Sequence, residues 1–196
     1  MTIQDKTRLY TAADLWELSK RPEYADKSIE LTEGYIVEVA ASSIKPSLVT
    51  HKIELVIGNY VDEHNLGYVT NAEGGYELSP TTVLAPDVGF IAKARITSLP
   101  ERYFPGAPDL AIEVVSSTDS VKATQRKAAK YLAFGTRLVW IFYPAERAVD
   151  ACTAIPDGGM IIHEIDIDGM LDGGDILPGF KVAVRDVFKV LDLDKE

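Results

Sequence analysis

Two short apolar runs, residues 83–91 and 108–116, constrain the fold of this chain most strongly. Each has the length and the β-branched content of a buried strand, and each includes a proline. Each also contains one carboxylate where an apolar residue is expected, Asp87 in the first and Glu113 in the second. A buried charge is costly unless it is paired or binds a cation. If the strands are neighbours, the two acids can share one divalent metal. The alternative is that both lie at strand ends, solvated or paired with basic residues.

Length and composition are typical of a single globular domain over residues 1–196. Hydrophobic residues make up 46% of the chain, which is enough for a sizeable core. No segment near the start resembles a signal peptide, and no apolar run reaches transmembrane length. The single cysteine, Cys152, excludes an internal disulfide and fits a reducing compartment. We therefore expect a soluble cytoplasmic protein that does not bind membranes.

The net charge of −10 limits the classes of partner. Nucleic acids and anionic membrane surfaces repel a strongly acidic protein, so a nucleic-acid coat or a membrane-surface protein is disfavoured. A localised basic groove remains compatible with this charge.

The order of the predicted elements indicates a mixed α/β domain with one central sheet. The predicted helices cover residues 12–18, 46–64 and 121–134, with residues 117–120 as capping side chains for the third and a short helical piece near residues 187–188. The predicted strands and hairpins cover residues 28–39, 68–78, 83–91, 108–116, 137–143 and 147–165.

The helix that follows Glu113 combines an apolar stripe with basic residues. At 100° per residue, Val121, Ala128 and Leu132 define the buried stripe, and Lys127 lies at its margin. Arg126 and Lys130 point away from the stripe. The basic residues of the helix form either an ordinary solvated face or a set of phosphate contacts, and the candidates for such contacts are Lys122, Arg126 and Lys130.

These motifs, in this order and spacing, resemble the Uma2 (DUF820) family of restriction-endonuclease-like proteins, which is placed in the PD-(D/E)XK nuclease superfamily. The similarity extends over nearly the whole chain. The segments that resemble the family are residues 33–34, 72–76, 85–88, 108–116, 127–131, 137–140 and 177–180.

The resemblance implies one restriction-endonuclease-like domain with a central mixed β-sheet flanked by helices, an N-terminal β-hairpin and a C-terminal β-rich extension. It also implies a metal-dependent endonuclease that hydrolyses phosphodiester bonds of nucleic acid, most simply DNA. Because cutting two strands commonly needs two sites, a homodimer is expected. Asp87 and Glu113 would be the acidic pair. Together with the backbone carbonyl of Val114 they would hold Mg²⁺ or Mn²⁺.

One departure from the nuclease signature and an open choice of third acid affect this interpretation. The signature has a lysine two residues after the second acid, where this chain has Val115. Lys127, on the following helix, is the expected replacement. The third acid is either Glu73, in a family-like segment, or Glu54, on the first long helix. The missing lysine and the acidic charge also support an alternative, a non-catalytic nuclease-like module that binds a protein or a nucleic acid.

Overall fold

A computed structural model describes residues 8–116, 120–156 and 158–192 of the chain. Within these residues the helices are α1 (Ala12–Ser19), α2 (Ile44–Glu63), α3 (Val121–Ala133) and α4 (Val184–Phe188). The strands of the first half are β1 (Ser28–Thr32), β2 (Tyr35–Val39), β3 (Gly67–Asn71), β4 (Tyr76–Ser79), β5 (Thr82–Leu84), β6 (Val88–Ala92) and β7 (Phe104–Pro105). Those of the second half are β8 (Leu110–Val114), β9 (Leu138–Tyr143), β10 (Ala148–Ala154), β11 (Met160–Ile165), β12 (Met170–Asp172) and β13 (Lys181–Ala183).

The described strands form three sheets, which confirms the mixed α/β class but not the single sheet. The five-stranded sheet has the order β2-β1-β5-β4-β7, and the six-stranded sheet has the order β11-β10-β9-β8-β6-β3. A small ribbon pairs β12 with β13. In the six-stranded sheet β8 runs parallel to β9, and α3 makes the crossover between them. The other pairs in that sheet are antiparallel.

Two predicted strands are each divided between the two large sheets. The predicted strand over residues 68–78 is wrong, because β3 belongs to the six-stranded sheet and β4 to the five-stranded one. The chain turns between them where a side chain would not fit, since a Cβ at Gly75 would lie 2.6 Å from the Tyr103 ring. The run over residues 83–91 also divides, into β5 and β6. Residues 85–87 therefore cross from one sheet to the other.

The six-stranded sheet has one long helix on each face. The buried stripe of α2 packs with the β8 residues Ile112 and Val114 in one core. That stripe consists of Val49, Ile53, Ile57 and Val61, which are fully buried. The helix begins two residues earlier than predicted, because proline is tolerated in a first turn whose N–H groups have no helical partner.

Helix α3 covers the opposite face of the sheet. Ala128 and Leu132 are buried there, as predicted, together with Ala111 of β8. Val121 was predicted in this stripe but is exposed, because it is the first residue of the helix. Ser120 is the N-cap residue and makes no capping hydrogen bond, and the other predicted capping residues, 117–119, lie outside the described part of the chain. Successive β8 side chains alternate between faces, so Glu113 points to the α3 side.

Helix α1 covers one face of the N-terminal hairpin formed by β1 and β2. Leu31 and Ile36 pack with Leu15 of that helix in a separate small core. The helix begins at a capping box in which Thr11 and Asp14 exchange hydrogen bonds. The other face of β1 therefore carries Glu30. Of the helices described, none is long and apolar enough to cross a membrane.

Candidate active site

Asp87 lies immediately before β6, Glu113 lies near the end of the neighbouring strand β8, and the charge of Asp87 acts on the Glu113 carboxyl. Strands β6 and β8 are antiparallel, with Val88 paired to Ile112, and one further step in this register places Asp87 opposite Glu113. Directly opposed residues point to the same face, with Cβ atoms about 5 Å apart. Asp87 Oδ2 also accepts a hydrogen bond from the Val114 N–H at 2.7 Å. The register therefore brings together the two acids that the sequence singled out.

Lys127 extends from α3 to this acidic pair. Its Nζ atom lies 3.0 Å from Glu113 Oε1 and donates a hydrogen bond to the Ala85 carbonyl oxygen at 2.9 Å. It also lies 2.9 Å from Glu30 Oε1. The crossover from β8 to β9 returns α3 over the strand that carries Glu113, and this explains the approach. The sequence predicted that Lys127 lies near Glu113, but not its contact with Glu30.

Glu30 is the acid that the sequence analysis missed. It belongs to β1 of the five-stranded sheet. In that sheet β1 pairs with β5, and Leu31 lies opposite Val83. Glu30 Oε1 accepts a hydrogen bond from the Ala85 N–H at 3.0 Å, so it contacts the segment that crosses between the sheets. One signal was available. Glu30 is the charged residue inside the first arm of a predicted hairpin, on the face opposite Leu31.

The predicted third acids lie elsewhere. Glu54 belongs to α2, which packs on the face of the sheet opposite to that of Glu113. Glu73 lies in an exposed turn between β3 and β4. The charges that act on the Glu113 carboxyl are those of Lys127, Asp87 and Glu30. Neither predicted residue therefore completes the cluster, because the sheet and the β3–β4 turn hold them away from it.

The predicted phosphate contacts have mixed surroundings. Lys122 and Arg126 are exposed on α3, as a solvated face requires. Lys130 instead forms an ion pair with Glu33 at 2.8 Å, at the turn of the β1–β2 hairpin. Two lysines one helical turn apart thus bind two glutamates of one hairpin. The pair of Lys127 with Glu30 is largely buried, whereas Glu33 of the other pair is exposed to solvent.

The charges in this cluster shift the pKa values of its members. Burial raises the pKa of the Glu113 carboxyl, and the positive charge of Lys127 opposes that rise. Burial alone would lower the pKa of Lys127, but the negative charges of Glu113 and Glu30 raise it above its ordinary value. Lys127 therefore holds its proton at neutral pH.

Glu113 Oε1 is buried and lies 3.0 Å from the Lys127 ammonium, so an ion pair compensates its charge. The Tyr131 hydroxyl is buried beside the same carboxyl. The donor set fits Mg²⁺ or Mn²⁺, because Mg²⁺ commonly takes one or two protein carboxylates and fills its other positions with water and substrate oxygens. Across the described residues, no group of three or more His, Cys, Asp and Glu side chains is placed to hold a metal. Asp87 and Glu113 remain the pair predicted to hold such an ion, and Glu30 is a further carboxylate in contact with Lys127.

Comparison with known proteins identifies the family. A family model described as "Uma2: Putative restriction endonuclease" matches residues 14–185. The chain belongs to the Uma2 family. This match confirms the relationship inferred from the motifs and includes Glu30, Asp87, Glu113 and Lys127 within its range. No curated protein matches the chain.

A solved structure shares the fold of this Uma2 chain. It is described as the crystal structure of "a putative nuclease belonging to DUF820" from Anabaena variabilis. The TM-score is 0.76 at 19% sequence identity, and the match covers 92% of this chain and 98% of the other. The likeness confirms a nuclease-like fold over nearly the whole chain.

Proposed function

We propose that this Uma2 protein is a metal-dependent endonuclease that hydrolyses phosphodiester bonds in DNA. The observation that supports this most is the position of Lys127. Its ammonium lies 3.0 Å from Glu113 and 2.9 Å from Glu30, on the face where Glu113 opposes Asp87. A lysine beside carboxylates can stabilise the charge that develops when a phosphodiester is hydrolysed, and here Lys127 supplies it while Val115 occupies the usual lysine position.

Asp87, Glu113 and the Val114 backbone carbonyl would hold the Mg²⁺ or Mn²⁺ ion. When bound, such an ion polarises a phosphate oxygen and lowers the pKa of a coordinated water. The role of the two carboxylates is to fix the position of that charge. Asp87 is itself oriented by the Val114 N–H, at 2.7 Å, so its second oxygen has a defined direction.

Lys127 would stabilise negative charge on the phosphate in the transition state. Its raised pKa favours this electrostatic role over that of a general base, because a base must give up its proton near the working pH. Glu30 would act as a positioning residue. It receives the Ala85 N–H and contacts Lys127, so it holds the ammonium beside Glu113.

Cleavage assays with matched variants test this proposal. Supercoiled plasmid and single-stranded DNA would be incubated with the wild-type protein in Mg²⁺, in Mn²⁺ and in EDTA. We expect cleavage that requires the metal and that falls by about a hundredfold or more in Glu113→Gln, by analogy with the loss of one charge-stabilising group. Glu33→Gln is the control, because Glu33 lies on the same hairpin and pairs with the next lysine of the same helix, but in solvent.

Equal loss of activity in Glu33→Gln and Glu113→Gln would contradict the assignment of the site. Absence of cleavage by the wild-type protein with every metal would contradict the proposed nuclease activity. It would favour the module that binds a partner without cutting it.

A further inference from the structure

An apolar row lies on the edge of the five-stranded sheet. Tyr35, Val37 and Val39 alternate along β2, so their side chains lie on one face of the hairpin. They are 50%, 44% and 40% exposed. The residues between them point to the opposite face, where Ile36 packs with α1. We refer to Tyr35, Val37 and Val39 as the hairpin shelf.

The hairpin shelf is continuous with the candidate active site. Val37 is the direct cross-strand partner of Glu30, and Tyr35 and Val39 pair with Thr32 and Ser28 on either side. Opposed residues share a face, so the shelf lies on the face of the hairpin from which Glu30 contacts Lys127. The shelf is thus joined to the candidate active site through Glu30, which pairs with Val37 and contacts Lys127.

The charges around the shelf do not fit a protein that binds DNA mainly through phosphates. The chain carries a net charge of −10. Lys127 and Lys130, the basic residues of α3 that reach the hairpin, are already paired with Glu30 and Glu33. Affinity for nucleic acid therefore has to come largely from contacts other than phosphate neutralisation.

We propose that the hairpin shelf binds unstacked bases, so that the enzyme acts on single-stranded or locally unpaired nucleic acid. This inference rests on the proposed nuclease function. In a duplex the faces of the bases are stacked on one another, so an aromatic side chain cannot stack on them. In a single strand every base has a free face, on which an aromatic side chain stacks regardless of sequence. Tyr35 is the stacking residue, and Val37 and Val39 contact the adjoining base or sugar.

Binding and kinetics with a matched tyrosine control test this proposal. Fluorescence anisotropy would measure affinity for a labelled single-stranded oligonucleotide and for its duplex, in EDTA so that no cleavage occurs. We expect tighter binding of the single strand and about tenfold weaker binding by Tyr35→Ala. Tyr68→Ala is the control, because Tyr68 is 46% exposed on β3, in the other large sheet. Under cleavage conditions Tyr35→Ala should raise KM for the oligonucleotide more than it lowers kcat.

A small substrate without bases separates this inference from the function on which it depends. Wild-type hydrolysis of bis(4-nitrophenyl) phosphate with Mn²⁺ tests the chemistry alone. If the ester is cleaved but Tyr35→Ala binds and cuts oligonucleotides as the wild type does, the inference is overturned and the nuclease stands. If neither the ester nor any DNA is cleaved, both are overturned. If the wild type is a dimer that Val37→Asp converts to a monomer with oligonucleotide affinity unchanged, the shelf binds a second copy instead.

Discussion

Lys127 Nζ lies 2.9 Å from Glu30 Oε1, and this contact joins a helix packed on one sheet to a hairpin of the other. The same ammonium neutralises Glu113 and donates to the Ala85 carbonyl oxygen. The three residues that contact Lys127, namely Glu30, Ala85 and Glu113, belong to different segments of the chain. Lys127 is therefore a structural link between the two large sheets as well as the proposed electrostatic group of the site.

Removal of Lys127 should destabilise the protein. Lys127→Met leaves Glu113 buried without its cation, and loss of one partner of a buried ion pair costs about 3 kcal/mol or more. Urea unfolding measures the change. Adding Glu113→Gln should recover part of the loss, because the amide is neutral at every pH, whereas the buried carboxyl must take up a proton once Lys127 is gone. Lys130→Met should destabilise the protein much less than Lys127→Met, because Glu33 lies in solvent. Equal losses for the two lysine variants would contradict the distinction between the pairs.

The site could be predicted from the sequence only where its residues belong to local patterns. Asp87 and Glu113 are visible as carboxylates inside apolar runs, and the helix phase brings Lys127 to the strand before it. Glu30 could not be found in this way, because its contact with Lys127 depends on which strand pairs with β1. That pairing, of Leu31 with Val83, joins segments far apart in the sequence.

The two-sheet arrangement was also hidden from the sequence. The prediction of one strand over residues 68–78 passed over the turn signal at Gly74 and Gly75, where the chain changes sheets. Periodicity reports which residues are buried, but not which strand lies beside them. The close approach of Tyr103 to Gly75, which fixes the turn, is a contact between distant segments.

The effect of Mg²⁺ on stability should grow with pH. Burial raises the pKa of Glu113 above its ordinary 4.5, so the carboxyl must lose a proton before it binds a cation. Without metal, this group lowers the stability of the fold as the pH rises above 4.5, because the unfolded chain releases the proton first. With millimolar Mg²⁺ the rise in Tm should therefore be larger at pH 8.5 than at pH 6. The double variant Asp87→Asn, Glu113→Gln should abolish this rise at both values of pH, and a retained rise would place the metal elsewhere.

Asp109 should contribute to stability and not to catalysis. It is buried, accepts the Ala92 N–H at 2.8 Å and lies 3.0 Å from Arg95. Asp109→Ala leaves that N–H and the guanidinium without their acceptor, at a cost of about 2 kcal/mol. Thermal unfolding would measure the loss, and cleavage per folded molecule should remain near that of the wild type. A loss of cleavage with unchanged Tm would show that Asp109 acts in the site.

Cys152 should be chemically inert in the folded protein. It is fully buried, and burial together with the charge of Asp150 raises the pKa of its thiol to about 12. The thiolate is the reactive form, so a disulfide reagent such as Ellman's reagent should react at pH 8 only after denaturation. Rapid stoichiometric reaction of the native protein would contradict the packing around this residue.

The location of a bound metal tests the central claim most directly. Crystals grown or soaked with Mn²⁺ would be measured at a wavelength where manganese scatters anomalously, with Glu113→Gln crystals treated in parallel. We predict one anomalous peak within bonding distance of a carboxylate oxygen of both Asp87 and Glu113, and no peak there in the variant. A wild-type map with no peak between these two acids, or a peak that persists in Glu113→Gln, would contradict the claim that they form the metal site.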